Sequence, residues 1–143
     1  VYGPYDNFDP KTSHVIPALI HRAVEKESPY VVWGAKDVVR DFLYIEDLIY
    51  GCLRLLEKKA DCDPVNIGYG SITTISNIVE SVLKATNHEQ VEVIYDQTKP
   101  TTIPFRAASI EKAREQLSFK PTVSLEEGLL KTVNWYLSTK PQS

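Results

Sequence analysis

Apolar residues recur along the chain with two periods, and these periods predict its elements. Stretches with a three-to-four-residue repeat predict helices at about 14–26, 45–57, 75–84 and 125–138, with a shorter helix at about 109–117. Compact or alternating apolar runs predict strands at about 31–33, 40–44, 65–68 and 91–95. Helices and strands alternate, but the strands are few and short. The pattern therefore predicts an α/β protein that is rich in helix and whose parallel sheet is incomplete.

Hydroxyl side chains mark most of the predicted helix starts. Thr12 or Ser13, Thr73 or Thr74, and Ser109 are expected to cap the helices that follow them, and Ser124 with Glu127 forms a capping box. The helix that begins at Ile45 has apolar residues round much of its circumference. We therefore expect it to be well covered by the rest of the molecule.

Residues 31–48 are the centre of the sequence argument, because they place an arginine among apolar neighbours between two predicted elements. Arg40 lies beside Asp41, seven residues after Trp33. Its planar guanidinium can bind two oxygens of a phosphate at once, and a partly buried cation requires a partner. That partner could be Asp41 or Asp37, but a ligand phosphate is the hypothesis we favour.

Composition narrows the choice of ligand. The 143 residues suffice for one domain with a core, and 16 basic against 19 acidic side chains give a net charge of −3. Such a balance argues against nucleic acid as a partner, so an anionic ligand must be held by a few placed cations. No apolar run is long enough to indicate a membrane partner. Cys52 and Cys62 fit neither a metal site nor a disulfide framework, which favours a reducing, cytoplasmic compartment.

The chain lacks the usual sequence for binding a dinucleotide. The turn at Gly68-Tyr69-Gly70 has no third glycine, and a polar segment follows it. We therefore expect no cofactor to bind this chain alone, and we predict no metal site. The first residue, Val1, enters in the middle of a motif, so the sequence is interpreted as a piece of a longer protein.

Four segments, in order along nearly the whole chain, resemble one family. They are 1–4, Val-Tyr-Gly-Pro; 32–48, with Trp33-Gly34 and Arg40-Asp41-Phe42; 65–68, Val-Asn-Ile-Gly; and 124–136, which begins Ser-Leu-Glu-Glu. Together they resemble the C-terminal part of the extended short-chain dehydrogenases/reductases, the NAD-dependent epimerase/dehydratase family. Within it, residues 6–8 and 13–20 are most similar to the GDP-L-fucose synthases.

The resemblance implies an architecture and a reaction. Residues 1–143 would be the substrate-binding domain of a Rossmann-type enzyme whose dinucleotide-binding domain lies upstream of this chain. The intact enzyme would use NADP or NAD, bind a nucleotide-diphosphate sugar and form a homo-oligomer. It would epimerise a GDP-4-keto-6-deoxy sugar and then reduce it, whereas the isolated chain would be inactive.

The resemblance also implies roles for single residues. It implies that His14 is a general acid, that Arg22, Arg40 and Arg106 face the diphosphate, and that Trp33 lines the substrate site. Asn7 and Tyr2 could hydrogen-bond hydroxyls of the sugar, and Tyr2, Gly3 and Pro4 are expected at the cofactor. The family has a lysine where Arg106 stands, and an aspartate where Ser109 stands. Lys99, in the same late loop, could supplement Arg106.

Each of these roles has a plainer alternative. His14 could be a surface residue that caps a helix, Trp33 could be core, Arg22 could be an exposed cation, and Asn7 could serve only its turn. For the whole chain, the alternatives are another NAD-dependent nucleotide-sugar 4-epimerase or dehydratase, or a non-catalytic nucleotide-sugar-binding or scaffold module. Without the rest of the enzyme, the helix at 45–59 is expected to expose an apolar face and promote self-association.

Overall fold

The helices follow the predicted order and the strands do so in part, in a computed structural model that describes residues 1–58, 62–99 and 103–140. The helices are α1 (Val15–Val24), α2 (Ile45–Lys58), α3 (Ile75–Ala85), α4 (Glu111–Leu117) and α5 (Leu125–Thr139). The strands are β1 (Tyr30–Trp33), β2 (Val39–Arg40), β3 (Thr73–Thr74), β4 (Val93–Asp96) and β5 (Phe105–Arg106). None of the described helices has the length and apolar character needed to cross a membrane.

The strands form two small sheets. β1 pairs with β4 in parallel, from Tyr30 opposite Val93 to Trp33 opposite Asp96. β2 lies between β3, to which it is antiparallel, and β5, to which it is parallel. This agrees with the predicted helix-rich α/β fold with few short strands.

Two apolar clusters hold the elements together. The larger one joins α1, α3 and α5 with β1, and its members include Ile16, Ile20, Ile78, Leu129 and Val133. The smaller one consists of Leu43, Ile110, Ala113, Leu117 and Phe119, with side chains of α2 packed against it. The helix faces that the periodicity singled out are therefore buried throughout α3 and for the most part in α1 and α5. The exceptions are Val15, Leu130 and Leu137, which are exposed.

Three expectations about helix starts and strands are wrong. The N-cap of α1 is His14, not Thr12 or Ser13, and the N-cap of α4 is Ile110, not Ser109. Residues 65–68 form no strand in the described structure, although the Ile67 side chain packs on the smaller cluster and against Gly51 of α2. The caps at Thr74 and Ser124 are confirmed, since their hydroxyl oxygens accept hydrogen bonds from the amides of Asn77 and Glu127 at 3.2 Å.

The expectation that α2 is well covered is also wrong. Ile49 and Leu53 are each 53% exposed and Leu56 is 81% exposed, and the thiol of Cys52 on the same helix is exposed too. Only one side of α2 packs on the smaller cluster, so an apolar face remains open over residues 45–58. Self-association through this face stays a prediction.

A buried carboxylate connects α2 to the segment that leads into α5. Asp47 is only 3% exposed, and its oxygens accept hydrogen bonds from the backbone amides of Thr122 and Val123, both at 3.0 Å. The Thr122 hydroxyl donates a third bond at 3.1 Å. A buried charge needs such partners, and without the carboxylate these three donors would lack a hydrogen-bond acceptor inside the protein.

Replacing Asp47 with asparagine should therefore destabilise the fold. The amide keeps one acceptor oxygen but presents an NH2 group to a backbone N–H, so at least one donor is left unpaired. We expect the free energy of unfolding, measured by urea denaturation, to fall by about 1–3 kcal/mol. Asp37→Asn, at an exposed position, is the control and should change it little. Equal unfolding midpoints for the two variants would contradict this role of Asp47.

Candidate nucleotide-sugar site

A cavity of about 970 Å³ opens where the two small sheets, the start of α1 and the start of α3 meet. Residues at the ends of short elements form its walls. Its lining is Val1, Ser13, His14, Val15, Trp33, Gly34, Ala35, Val38, Arg40, Asp41, Phe42, Leu43, Ile67, Gly68, Ile75, Arg106, Ala107 and Ala108. A cleft of this size with apolar walls and a few polar groups is typical of a small-molecule site.

Two arginines lie side by side in this cavity. Arg40 and Arg106 are paired positions of the parallel β2–β5 ladder, and both line the cavity. Arg40 is half-buried and donates from Nη1 to the Val39 carbonyl oxygen at 2.7 Å, while Arg106 is exposed. Like charges at neighbouring positions of a sheet repel, so this arrangement favours an anion between or above them.

The carboxylate of Asp41 fixes the wall next to Arg40. It accepts hydrogen bonds from the backbone amides of Tyr69 at 2.9 Å and Gly70 at 3.1 Å. Gly68 permits the close approach, since a Cβ there would lie 2.8 Å from the carboxylate, and Gly70 has a φ of +76° that favours glycine. Asp41 was considered from the sequence only as a partner for Arg40. Its contact with the turn depends on folding and could not be read from the local pattern.

His14 lies at the N-terminus of α1 and lines the cavity. Its backbone is extended, it makes no side-chain capping bond, and its side chain is exposed. The alternative in which the ring caps the helix is therefore not what the structure shows. A histidine in this position can reach a bound molecule, although its role as an acid remains a prediction.

Trp33 ends β1 at the rim of the cavity. Its side chain is 68% exposed, so the alternative in which it belongs to the core is wrong. The Lys99 ammonium lies 5.4 Å from the centre of its ring, at cation–π distance. Together they form an exposed aromatic and cationic edge beside the arginines.

Arg22 lies outside the cavity. Its Nε is 3.4 Å from a carboxylate oxygen of Glu27, and its guanidinium carbon is 5.4 Å from the centre of the Tyr30 ring. The structure thus places Arg22 between α1 and β1, apart from Arg40 and Arg106. Periodicity could assign it to the polar side of α1 but could not tell what that side faces.

Asn7 is likewise held by its own loop. Its side-chain amide donates to the Thr12 hydroxyl at 2.8 Å, and its side-chain oxygen accepts from the Asp9 amide at 3.0 Å. This is the turn role that the sequence left open. The structure does not bring Asn7 to the lining of the cavity.

The segment Tyr2-Gly3-Pro4 packs into the protein beside the cavity without lining it. Tyr2 is 3% exposed, forms a bridge with Tyr44 and donates from its hydroxyl to the Leu125 carbonyl at 3.3 Å. Burial raises the pKa of its phenol. Contact of this segment with a cofactor stays a prediction.

Sequence and structure comparisons agree with the resemblance that the sequence motifs indicated. Residues 1–68 match the model of the NAD dependent epimerase/dehydratase family. The Thermotoga maritima UDP-glucose 4-epimerase, solved with UDP-glucose, is 31% identical, superposes with a TM-score of 0.82 and is matched over 96% of this chain and 43% of its own. Residues 1–68 are thus similar to the NAD-dependent epimerase/dehydratase family, and the chain has the fold of the corresponding part of the Thermotoga maritima enzyme.

Within that family, the chain is similar to GDP-L-fucose synthases. It is 37% identical over 141 residues to the probable GDP-L-fucose synthase 1 of Oryza sativa subsp. japonica, covering 96% of this chain and 42% of the relative. It is 31% identical to the GDP-L-fucose synthase of Escherichia coli (strain K12), covering 98% and 47%. The chain thus spans less than half the length of the curated relatives it matches.

The role of Asp41 can be measured at the two amides it binds. In Asp41→Ala, the N–H groups of Tyr69 and Gly70 lose their acceptor, so we expect their hydrogen exchange, followed by NMR, to accelerate about tenfold, the factor for about 1.4 kcal/mol. The amides of Thr122 and Val123, which bond to Asp47, serve as an internal control and should exchange at their original rates. Unchanged exchange at Tyr69 and Gly70 would show that Asp41 does not hold the turn.

Proposed function

We propose that this chain is the nucleotide-sugar-binding domain, residues 1–143, of an NAD(P)-dependent epimerase/reductase of the GDP-L-fucose synthase kind. The observation that carries the proposal is the pairing of Arg40 with Arg106 on one cavity. The similarity to GDP-L-fucose synthases supports the choice of substrate class.

The two guanidinium groups would bind the diphosphate of the sugar nucleotide. Each can donate two hydrogen bonds to phosphate oxygens, and such charge-assisted bonds are among the stronger ones in proteins. The negative charge of the diphosphate would also remove the repulsion between the arginines. Trp33 and Lys99 would flank the ligand at the rim, where an exposed ring and an ammonium can contact other parts of the nucleotide.

His14 would act on the sugar. Epimerisation next to a keto group requires that a proton be removed from carbon and another be delivered. The histidine side chain is suited to delivering it, because it can exchange a proton near neutral pH. His14 borders the same cavity as the arginines. One ligand could therefore contact the cations through its diphosphate and the imidazole through its sugar.

The glycine-containing turn at 68–70 does not offer a phosphate site for a dinucleotide cofactor. The glycine-containing turn at 68–70 has the amides of Tyr69 and Gly70 bonded to Asp41, so those amides are not offered to a phosphate. The segment Tyr2-Gly3-Pro4 lies beside the cavity but not in its lining. Under the proposal, NADP or NAD is bound mainly by the part of the intact enzyme outside this chain, which also supplies the catalytic base. Two free thiols suit the reducing cytoplasm we propose as its location.

A second candidate, another nucleotide-sugar 4-epimerase or dehydratase, is favoured by the likeness to the UDP-glucose 4-epimerase. The two candidate functions differ in the nucleotide base that the site should prefer and in whether His14 is needed as a proton donor. A simple 4-epimerase passes a hydride out and back, so it needs no proton donor at this position. Preference for UDP over GDP would favour this second candidate.

Binding of GDP tests the diphosphate site. We expect the chain to bind GDP in isothermal titration calorimetry, and Arg40→Ala or Arg106→Ala to weaken binding by about 10–100-fold, since each removes about 1.5–3 kcal/mol of charge-assisted bonding. Arg40→Lys keeps the charge but loses the planar guanidinium that can donate two hydrogen bonds at once. Its affinity for GDP should therefore lie between that of the original chain and that of Arg40→Ala. Arg114→Ala, an exposed arginine of α4 that is not among the lining residues, is the matched control.

Two results would contradict the proposal. Equal affinity for GDP in the Arg40, Arg106 and Arg114 variants would show that the paired arginines do not bind the diphosphate. Failure of GDP, UDP and their sugars to bind a chain that is folded by circular dichroism would favour a structural module without a ligand site.

The isolated chain should not turn over. We expect no oxidation of NADPH when the chain is mixed with NADPH and GDP-4-keto-6-deoxymannose, because the catalytic base and most of the cofactor site are proposed to lie outside it. The NADPH absorbance is the measurement, and an intact GDP-L-fucose synthase under the same conditions is the positive control. Oxidation that depends on the sugar would contradict the assignment of residues 1–143 as a substrate-binding domain only.

A further inference from the structure

One polar group at the cavity has no visible function in the fold. The hydroxyl oxygen of Ser13 is buried and has no hydrogen-bond partner among the described residues. The backbone of Ser13 is accounted for, since its amide donates to the Asp9 carbonyl at 2.9 Å. The side chain therefore stands out as the unsatisfied part of the residue.

The position of this hydroxyl suggests where a partner would come from. Ser13 lines the cavity and directly precedes His14, the residue proposed to act on the sugar. It does not cap α1, because His14 occupies the N-cap position. Rotation about its Cα–Cβ bond moves the hydroxyl among three staggered positions without moving the backbone. A ligand in the cavity can supply the bond that the protein does not.

An unpaired buried hydroxyl is costly, and native proteins contain few of them. Alanine at this position would fill much of the same space without that cost. The hydroxyl of Ser13 does not stabilise the unliganded fold. The presence of serine at this position is explained if a bound ligand forms a hydrogen bond with that hydroxyl.

We propose that Ser13 is a substrate-binding residue whose hydroxyl hydrogen-bonds to an oxygen of the sugar in the nucleotide-sugar complex. This inference rests on the proposed function, because it takes the ligand of the cavity to be a nucleotide sugar. It adds a contact that discriminates the sugar from the bare nucleotide, whereas Arg40 and Arg106 contact the diphosphate common to both.

The test compares two ligands, GDP and GDP-L-fucose, on the 143-residue chain. Calorimetry with Ser13→Ala should show the affinity for GDP within about twofold of the original, and the affinity for GDP-L-fucose reduced about threefold to tenfold, the range of one lost hydrogen bond. Ser138→Ala is the matched control, since the Ser138 hydroxyl already donates to the Trp135 carbonyl at 2.7 Å, and Ser138 is not among the lining residues. It should change neither affinity.

Urea denaturation without ligand gives a second readout. Removal of an unpaired buried hydroxyl should leave the unfolding midpoint of Ser13→Ala unchanged or raised. An unchanged affinity for GDP-L-fucose, an equal loss for both ligands, or a lowered midpoint would overturn the inference, the last because it would mean that the hydroxyl is satisfied within the unliganded protein. If Arg40→Ala weakens GDP while Ser13→Ala changes nothing, only the inference about Ser13 fails and the proposed function stands.

Discussion

The pairing of β2 with strands on both of its sides determines where Arg40 and Arg106 lie. The strand β2 consists of only two residues, Val39 and Arg40, yet β3 pairs with one of its edges and β5 with the other. The parallel register brings Arg106, sixty-six positions later in sequence, next to Arg40. Two like charges in neighbouring positions are unfavourable in the absence of an anion. Under the proposed function, an anion bound at this ladder would reduce that repulsion.

The residues that follow Arg40 secure the surroundings of that ladder. Asp41 bonds to the amides of Tyr69 and Gly70, and Asp47 bonds to the segment before α5. Between them, the Tyr2 amide donates to the Leu43 carbonyl at 3.1 Å, which ties in the start of the chain. Three distant parts of the sequence thus meet at residues 40–47.

The sequence predicted the helices and two of their N-caps, because these features depend on residues that are close together in the sequence. The apolar faces of α1, α3 and α5 repeat over several turns, so their helices and their buried sides could be read from the sequence. Thr74 and Ser124 cap their helices because the hydroxyl can reach an amide three residues ahead. Ser13 and Ser109 have the same chemistry, but the chain positions them one residue too early to cap.

Features that depend on distant partners could not be predicted. β5 exists because Phe105 and Arg106 find β2 beside them, and nothing in the proline-flanked sequence indicates it. The residue pattern and the family resemblance predicted one site with Arg40, Arg106, His14 and Trp33, and all four line one cavity. Arg22 and Asn7 were grouped with them but bond to neighbours outside its lining.

The most direct measurement is a crystal structure of the chain grown with GDP. The account predicts that the diphosphate lies in the cavity, with its oxygens within hydrogen-bond distance of the guanidinium groups of both Arg40 and Arg106. Density for GDP at another surface, or a diphosphate in the cavity that touches neither arginine, would contradict it.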